Sequence, residues 1–354
     1  MAVLGVGLIG GSVGLAARER TGAEVRGYDP APGALDAARE RGAIDAACAS
    51  VAEAVAGAEA VFVAAPVGAL PGVLGEALGA AGPECVVTDV GSTKRAIVAT
   101  VRDPRFVGGH PLAGAETAGV AHARADLFDG ATWYLTPTAR TTGVLYERLH
   151  RLLRELGARP AALDAETHDR LLATVSHLPH VLANVLVAQA ARALDREAEQ
   201  LPATGPSFRD ATRVAGAATA IWGDIYLSNA EALADALGDA IDRLQAVRTA
   251  LASGDRGAVE AWNDAAAEDR RRLLEAGVAG GPAHELRVTV PNRPGVVADV
   301  ALALGRAGVN ILDMALHPAP DNASGVIALW VAGDAPARQA EALIAGLGLP
   351  VARA

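Results

Sequence analysis

Cysteine, aromatic residues and net positive charge are all scarce in this 354-residue chain, and most of these shortages exclude something. Only two cysteines occur, Cys48 and Cys85. Cys85 lies in the apolar run ECVVTDV, which reads as a buried strand, so a disulfide framework is excluded and a reducing, cytoplasmic setting is expected. Acidic residues outnumber basic ones by 41 to 31, giving a net charge of -10 and a pI near 5.3. Nucleic-acid partners need clustered Lys and Arg to displace counterions, so a small metabolite is the better expectation. The most apolar segments are broken by Gly, Pro or His, so none is expected to span a membrane. A glycine-rich loop already begins at Gly5, so no signal peptide is expected. Aromatic residues make up 3% of the chain, which is otherwise rich in Ala; that favours helix and says nothing about catalysis.

A chain of this length exceeds one ordinary core, which predicts two or three domains. Residues 1–163 alternate short β-branched runs (AVLGV, AEVRGYD, AVFVAAP, CVVTDV, FVGG, TWYLTP) with amphipathic stretches, the rhythm of an α/β doubly wound parallel sheet. Only about four residues precede the glycine loop, which implies a short first strand or a start upstream of Met1. Strand signals then vanish. Residues 164–280 read as an all-α domain with long helices, one through HDRLLATVSHLPHVLANVLVAQAARALDRE and another through GDIYLSNAEALADALGDAIDRLQAVRTALAS. Their apolar faces are wider than a thin sheet edge would cover, so packing against a second copy of the chain is expected. After the small, flexible AGVAGGPA, residues 283–354 form a strand-helix-strand-strand-helix pattern with a possible last strand, a small α+β domain.

The segment GVGLIGGS places Gly5, Gly7 and Gly10 in the G-x-G-x-x-G spacing between a strand and a helix. In such a loop the first glycine permits a tight turn, the second admits a pyrophosphate, and the third lets helix approach strand. Asp29 follows the second strand, nineteen residues beyond Gly10, where an acid accepts hydrogen bonds from a ribose 2′-hydroxyl and disfavours a 2′-phosphate. NAD is therefore expected rather than NADP. A competing use of Asp29 and Pro30 is to cap the next helix, which is compatible with the first. Leu8 and Ile9 in the loop and Pro66 after the run AVFVAA complete the expected cofactor contacts.

Polar clusters interrupt the apolar pattern at TDVGSTK (88–94), GGHPLAGAE (108–116), HD…SHLPH (168–180) and FRDATRVA (208–215). Ligands in a doubly wound sheet sit beyond the carboxyl ends of strands, so Ser92 and His110 are placed to meet there. A histidine can take a hydroxyl proton as hydride leaves the same carbon, with Ser92 orienting it or the substrate. Alternatively, His110 is a satisfied structural histidine beside a proline turn. His177 and His180 share one side of a helix, where HxxH also raises a metal, though no acidic ligand spacing supports one. Arg209 and Arg213, four apart, either hold carboxylates or form a solvated basic face beside Asp210.

Taken in order, GVGLIGGS, TDVGSTK, FVGGHPLAGAE, SHLPH, FRDATR and WGDI resemble the prephenate and arogenate dehydrogenase family of tyrosine biosynthesis over nearly the whole chain. The resemblance implies NAD-dependent oxidation of a ring hydroxyl carbon in a cyclohexadienyl substrate, with loss of carbon dioxide from the opposite carbon. It assigns His110 to the ring hydroxyl, Ser92 to its support, Arg213 to a substrate carboxylate and His180 to the side chain. Asp169 and Trp222 fall near the site by the same likeness, Glu116 as a gate and Arg209 as a further basic group. The run RPGVVADVALALGRAGVNI resembles an ACT domain, implying tyrosine or phenylalanine as an effector; a ligand-free structural appendage is the alternative. A β-hydroxyacid dehydrogenase would carry a lysine on the long helix, which SHLPH lacks, and an NAD and amino-acid sensor without turnover sits poorly with Ser92, His110 and Arg213 together.

Overall fold

In the computed structural model, residues 1–114, 117–194, 205–278, 283–309, 311–319 and 323–353 are described. They fall into two compact units, one of Met1–Asp169, Ala218–Ser228 and His284–Ala354, the other of Arg170–Ala217 and Asn229–Ala283.

The first unit holds eight strands: β1 (Ala2–Leu4), β2 (Arg26–Tyr28), β3 (Ala46–Ala47), β4 (Ala60–Val63), β5 (Val86–Asp89), β6 (Phe106–Pro111), β7 (Thr132–Thr136) and β8 (Arg159–Ala162). Their order in the sheet is β3-β2-β1-β4-β5-β6-β7-β8, so strand order reverses at β1/β4, the switch point where doubly wound sheets bind ligands. Every residue of β4 (AVFV) and β5 (VVTD) is buried, as expected for parallel strands covered on both faces. The short β1 is anchored by parallel pairing to β2 on one side and β4 on the other.

The all-parallel expectation needs one correction. TWYLTP, as β7, runs antiparallel to β6 and pairs His110 with Tyr134. A parallel neighbour needs a helical crossover, and between β6 and β7 the described residues form only a short 3-10 turn at Val120–His122, so the chain returns in the opposite direction. β3 and β8 were not separated from their surroundings by pattern, being two and four residues long without an apolar alternation.

The same unit contains a four-stranded sheet in the order β10-β11-β9-β12, from β9 (Ala283–Pro291), β10 (Ile311–Pro318), β11 (Ser324–Ala332) and β12 (Val351–Arg353), with helices Val296–Arg306 and Asp334–Gly346. The expected last strand exists as β12, antiparallel to β9. The turn opening its first helix is tied to the loop after β7 by Gly295 N–H donating to the Thr141 carbonyl at 3.1 Å.

The second unit is helical, with Pro206–Thr212, Ala230–Ser253 and Arg256–Val278 following a long helix that runs from Ala165 to Leu194. That helix runs on through Pro179, as its apolar spacing predicts. A π-turn at Ala173–His177 widens the backbone just before Pro179, which has no N–H to donate. By length and composition Ala165–Arg192 is apolar enough to cross a membrane, and only 22% of its most apolar window is buried. The helix expected from Gly223 onward breaks instead at Asn229, whose buried side chain bonds His177 Nδ1 at 3.2 Å. The segment before the break, Thr219–Ser228, packs with the first unit: Asp224 Oδ2 accepts Gly68 N–H at 3.2 Å, and Ser228 Oγ lies 2.9 Å from Thr93 Oγ1.

Candidate active site

The glycine loop is shaped by what its residues lack. Gly5 sits at φ +95°, and a Cβ there would fall 2.3 Å from the Ala64 carbonyl oxygen. A Cβ on Gly10 would fall 1.9 Å from the Gly5 oxygen, so these two positions are closed by the protein itself. Gly7 differs, since nothing lies within 4 Å of an added Cβ and the residue opens the helix Leu8–Thr21 without a side-chain cap. Open space at an uncapped helix N-terminus is what a pyrophosphate requires. Leu8 and Ile9, both half-buried, form the first turn, and Pro66 leads out of β4 across the switch point. Asp29 does not cap the following helix, whose N-cap is Gly33. Its carboxylate accepts Val6 N–H at 2.8 Å and Ala31 N–H at 2.8 Å, bracing the loop from the end of β2. Gly7, Asp29 and the helix end thus fit a dinucleotide.

Beyond the ends of β5 and β6 lies a buried polar network. Asp89 and Lys94 are both fully buried and ion-paired. Burial pushes the Lys94 ammonium below the usual lysine range, with the Asp89 carboxylate opposing that shift. Asp89 also accepts Gly91 N–H at 2.9 Å and Gly109 N–H at 3.1 Å, stitching the turn that carries Ser92 to the strand that carries His110. Gly109 is obligatory here, because a Cβ would come within 2.6 Å of Thr88 Oγ1 and 2.7 Å of the Asp89 carbonyl oxygen. The Gly-Gly before His110 therefore serves close approach of strands.

His110 itself is 8% exposed at the end of β6, and its Nδ1 lies 2.9 Å from His168 Nε2. His168 Nδ1 in turn lies 2.8 Å from Asp169 Oδ1. Asp169 is fixed by Lys94 N–H at 2.7 Å and Arg95 N–H at 2.9 Å. Tyr134, across the β6–β7 ladder, sets its ring edge-on to His168 with centroids 5.6 Å apart. His110 is thus held by the protein, as the structural alternative expects, at the end of the strand that Asp89 ties to the turn carrying Ser92.

Of the other expected residues, Trp222 lies in the first unit, half-buried and tilted against Tyr226 at 5.4 Å. His180, Arg209 and Arg213 belong to the second unit. There Arg213 follows the helix Pro206–Thr212, both arginines are exposed, and the Arg213 charge adds to burial in lowering the His180 pKa. His177, expected to turn with His180 toward a cleft, is buried against Asn229 instead. Glu116 lies outside the described residues. No group of three His, Cys, Asp or Glu side chains suited to a metal occurs among the described residues. The sequence reading gave no role to His168, Lys94 and Asp89, although they lie in the clusters TDVGSTK and HD…SHLPH; the signal was a charged residue ending an apolar strand, a lysine five residues on, and a histidine directly before Asp169.

A dinucleotide cradle at the switch point and a buried histidine beyond a neighbouring strand define an NAD-dependent dehydrogenase. Family models sharpen this: residues 13–161 match the prephenate dehydrogenase nucleotide-binding domain, 164–262 the prephenate dehydrogenase dimerization domain, and 284–343 the ACT domain. Prephenate dehydrogenase of Bacillus subtilis is 31% identical over 96% of this chain and 94% of its own length. The crystal structure of prephenate dehydrogenase from Aquifex aeolicus with hydroxyphenyl propionate and NAD+ superposes with a TM-score of 0.73 at 27% identity, covering 77% of this chain and 97% of that one. Synechocystis arogenate dehydrogenase superposes at a TM-score of 0.66 and 26% identity, over 77% and 99%. The chain belongs to the prephenate dehydrogenase family.

Proposed function

We propose that this chain is an NAD-dependent prephenate dehydrogenase, oxidising prephenate to 4-hydroxyphenylpyruvate with release of carbon dioxide in tyrosine biosynthesis, in the cytoplasm. The observation that carries the reading is His110, buried at the end of β6 with its ring held by His168 and Asp169, on the sheet that carries an open Gly7 and a braced Asp29. Gly5, Gly7, Leu8, Ile9, Gly10, Asp29 and Pro66 hold the dinucleotide, which supplies the hydride acceptor when bound.

In this mechanism His110 takes the proton of the ring hydroxyl while hydride leaves the same carbon. The carbon–oxygen double bond so formed draws in the electrons of the bond to the opposite ring carboxylate, which breaks to release carbon dioxide. The aromatic ring forms as a phenolate and regains its proton from the His110 imidazolium. Ser92 orients the hydroxyl. Arg213 binds a carboxylate and His180 the side chain, with Arg209, Asp169, Glu116 and Trp222 completing the surroundings.

Arogenate, with an amine in place of the side-chain keto group, is the second reading, favoured by the likeness to the Synechocystis enzyme. The dimerization-domain match and the exposed Val175, Val185, Leu244 and Leu251 support a homodimer. The ACT match supports tyrosine or phenylalanine as effector; kinetics unchanged by either amino acid would remove that part. The test of the chemistry is NADH formation from prephenate by the wild type and by His110→Ala. Loss of a general base costs on the order of 10²–10⁴-fold in kcat. Full kcat in the variant would exclude the assigned role.

A further inference from the structure

His110 is joined to His168, which the expected site leaves without a role, and through it to Asp169, and the hydrogen-bond polarity along this chain is fixed by chemistry. An ionised carboxylate only accepts, so at 2.8 Å from Asp169 Oδ1 the His168 Nδ1 carries the proton. A neutral His168 then presents Nε2 as a lone pair, and the 2.9 Å contact to His110 Nδ1 requires the proton to sit on His110 Nδ1. That leaves Nε2 of His110 as the acceptor of its ring. Asp169 is locked in place by two backbone N–H donors, from Lys94 and Arg95, so the chain of polarity begins at a rigid point.

We propose that His168 is a positioning residue for the oxidation: backed by Asp169, it fixes the tautomer of His110 so that Nε2 receives the substrate proton. This rests on the reading of His110 as base. The buried His168 is disfavoured as a cation by desolvation, which keeps its Nε2 an acceptor through neutral pH. Its surroundings contain few competing charges among the described residues: Asp169 on its own helix, the Lys94–Asp89 pair beyond β5, and the Tyr134 ring from β7. When His110 takes a proton, the imidazolium keeps its Nδ1–H bond to His168, and the Asp169 carboxylate stabilises the charge through the intervening ring.

The first test needs no turnover. Long-range proton–nitrogen correlation spectra of the full chain labelled with 15N-histidine, with His110 assigned by its loss in His110→Gln, are expected to show the Nδ1–H tautomer at neutral pH. An Nε2–H tautomer would overturn the proposal whatever the substrate proves to be, whereas an Nδ1–H signal in a chain that oxidises neither prephenate nor arogenate would overturn only the functional reading. The second test separates positioning from packing. His168→Leu removes the acceptor and is expected to lower kcat about 10- to 100-fold with little change in KM, by analogy with the range seen when the hydrogen-bond partner of a metal-bound histidine is removed. It also moves the acidic limb of the kcat/KM profile to lower pH, because the His110 imidazolium loses its acceptor. His168→Gln offers a carbonyl oxygen near the Nε2 position and is expected to recover most of that loss. Equal kcat in the Leu and Gln variants, or an acidic limb unmoved in His168→Leu, would reduce His168 to a packing residue.

Discussion

The polar network beyond β5 and β6 and the helices of the second unit are opposite solutions to the same constraint on unpaired groups. In the network, buried charge is matched inside the chain: Asp89 to Lys94 and two backbone N–H groups, Asp169 to His168 and two more. On the helices, large apolar side chains such as Val175, Val185, Leu244, Leu251 and Trp262 remain more than half exposed within one chain. The difference separates what one chain completes alone from what it leaves for another molecule. Chemistry is preorganised in cis, because a mispaired buried charge is costly. Apolar surface can wait for association.

The largest expected effect breaks the first half of this contrast. Lys94→Met leaves Asp89 buried without its counter-charge, and should cost about 3–5 kcal/mol of stability, measured by denaturant unfolding. A loss under about 1 kcal/mol, the range of surface pairs, would show that the network is wetter than it looks.

The glycine loop offers a cleaner dissection. Gly10→Ala drives a methyl into the Gly5 carbonyl and should destabilise the fold, while Gly7→Ala meets nothing in the protein and should leave the melting temperature unchanged. Gly7→Ala should nevertheless weaken NAD binding about tenfold, or 1.4 kcal/mol, by titration calorimetry. Equal loss of stability in both variants would contradict the open cradle.

On the helices, a Leu244→Glu, Val185→Glu double variant should shift the chain from dimer to monomer in sedimentation velocity, without altering NAD affinity. A wild-type chain that sediments as a monomer at working concentration would remove the second half of the comparison.

The smallest effect concerns pH. His168 has a folded-state pKa below the 6.5 of an unfolded histidine because burial disfavours its charge. Between those two values the unfolded chain binds a proton that the folded one does not, so stability falls as pH drops through that window. His168→Gln should flatten that decline in thermal melts between neutral and mildly acidic pH.

How far the sequence was legible follows from the same contrast. Period and punctuation announced the sheet, the helical stretch and the terminal α+β module, because apolar spacing is local information. The glycine loop was also legible, standing directly after β1, and so was the position of His110 at a strand end, though it lies within β6 rather than after it. The direction of β7 was not, since it depends on a connection without a helix. Neither was the break at Asn229, where the side chain bonds His177, distant in sequence. His168 stayed hidden because a histidine beside an aspartate on a helix looks like a cap or a solvated pair until the strand carrying His110 is brought to 2.9 Å from it.

The most direct measurement compares kcat/KM for prephenate and arogenate, with NAD in saturating amounts and carbon dioxide release followed alongside NADH. The expected result is equal amounts of NADH and carbon dioxide from prephenate, at a kcat/KM at least tenfold above that for arogenate. Preference for arogenate, or no NADH from either substrate, would contradict it.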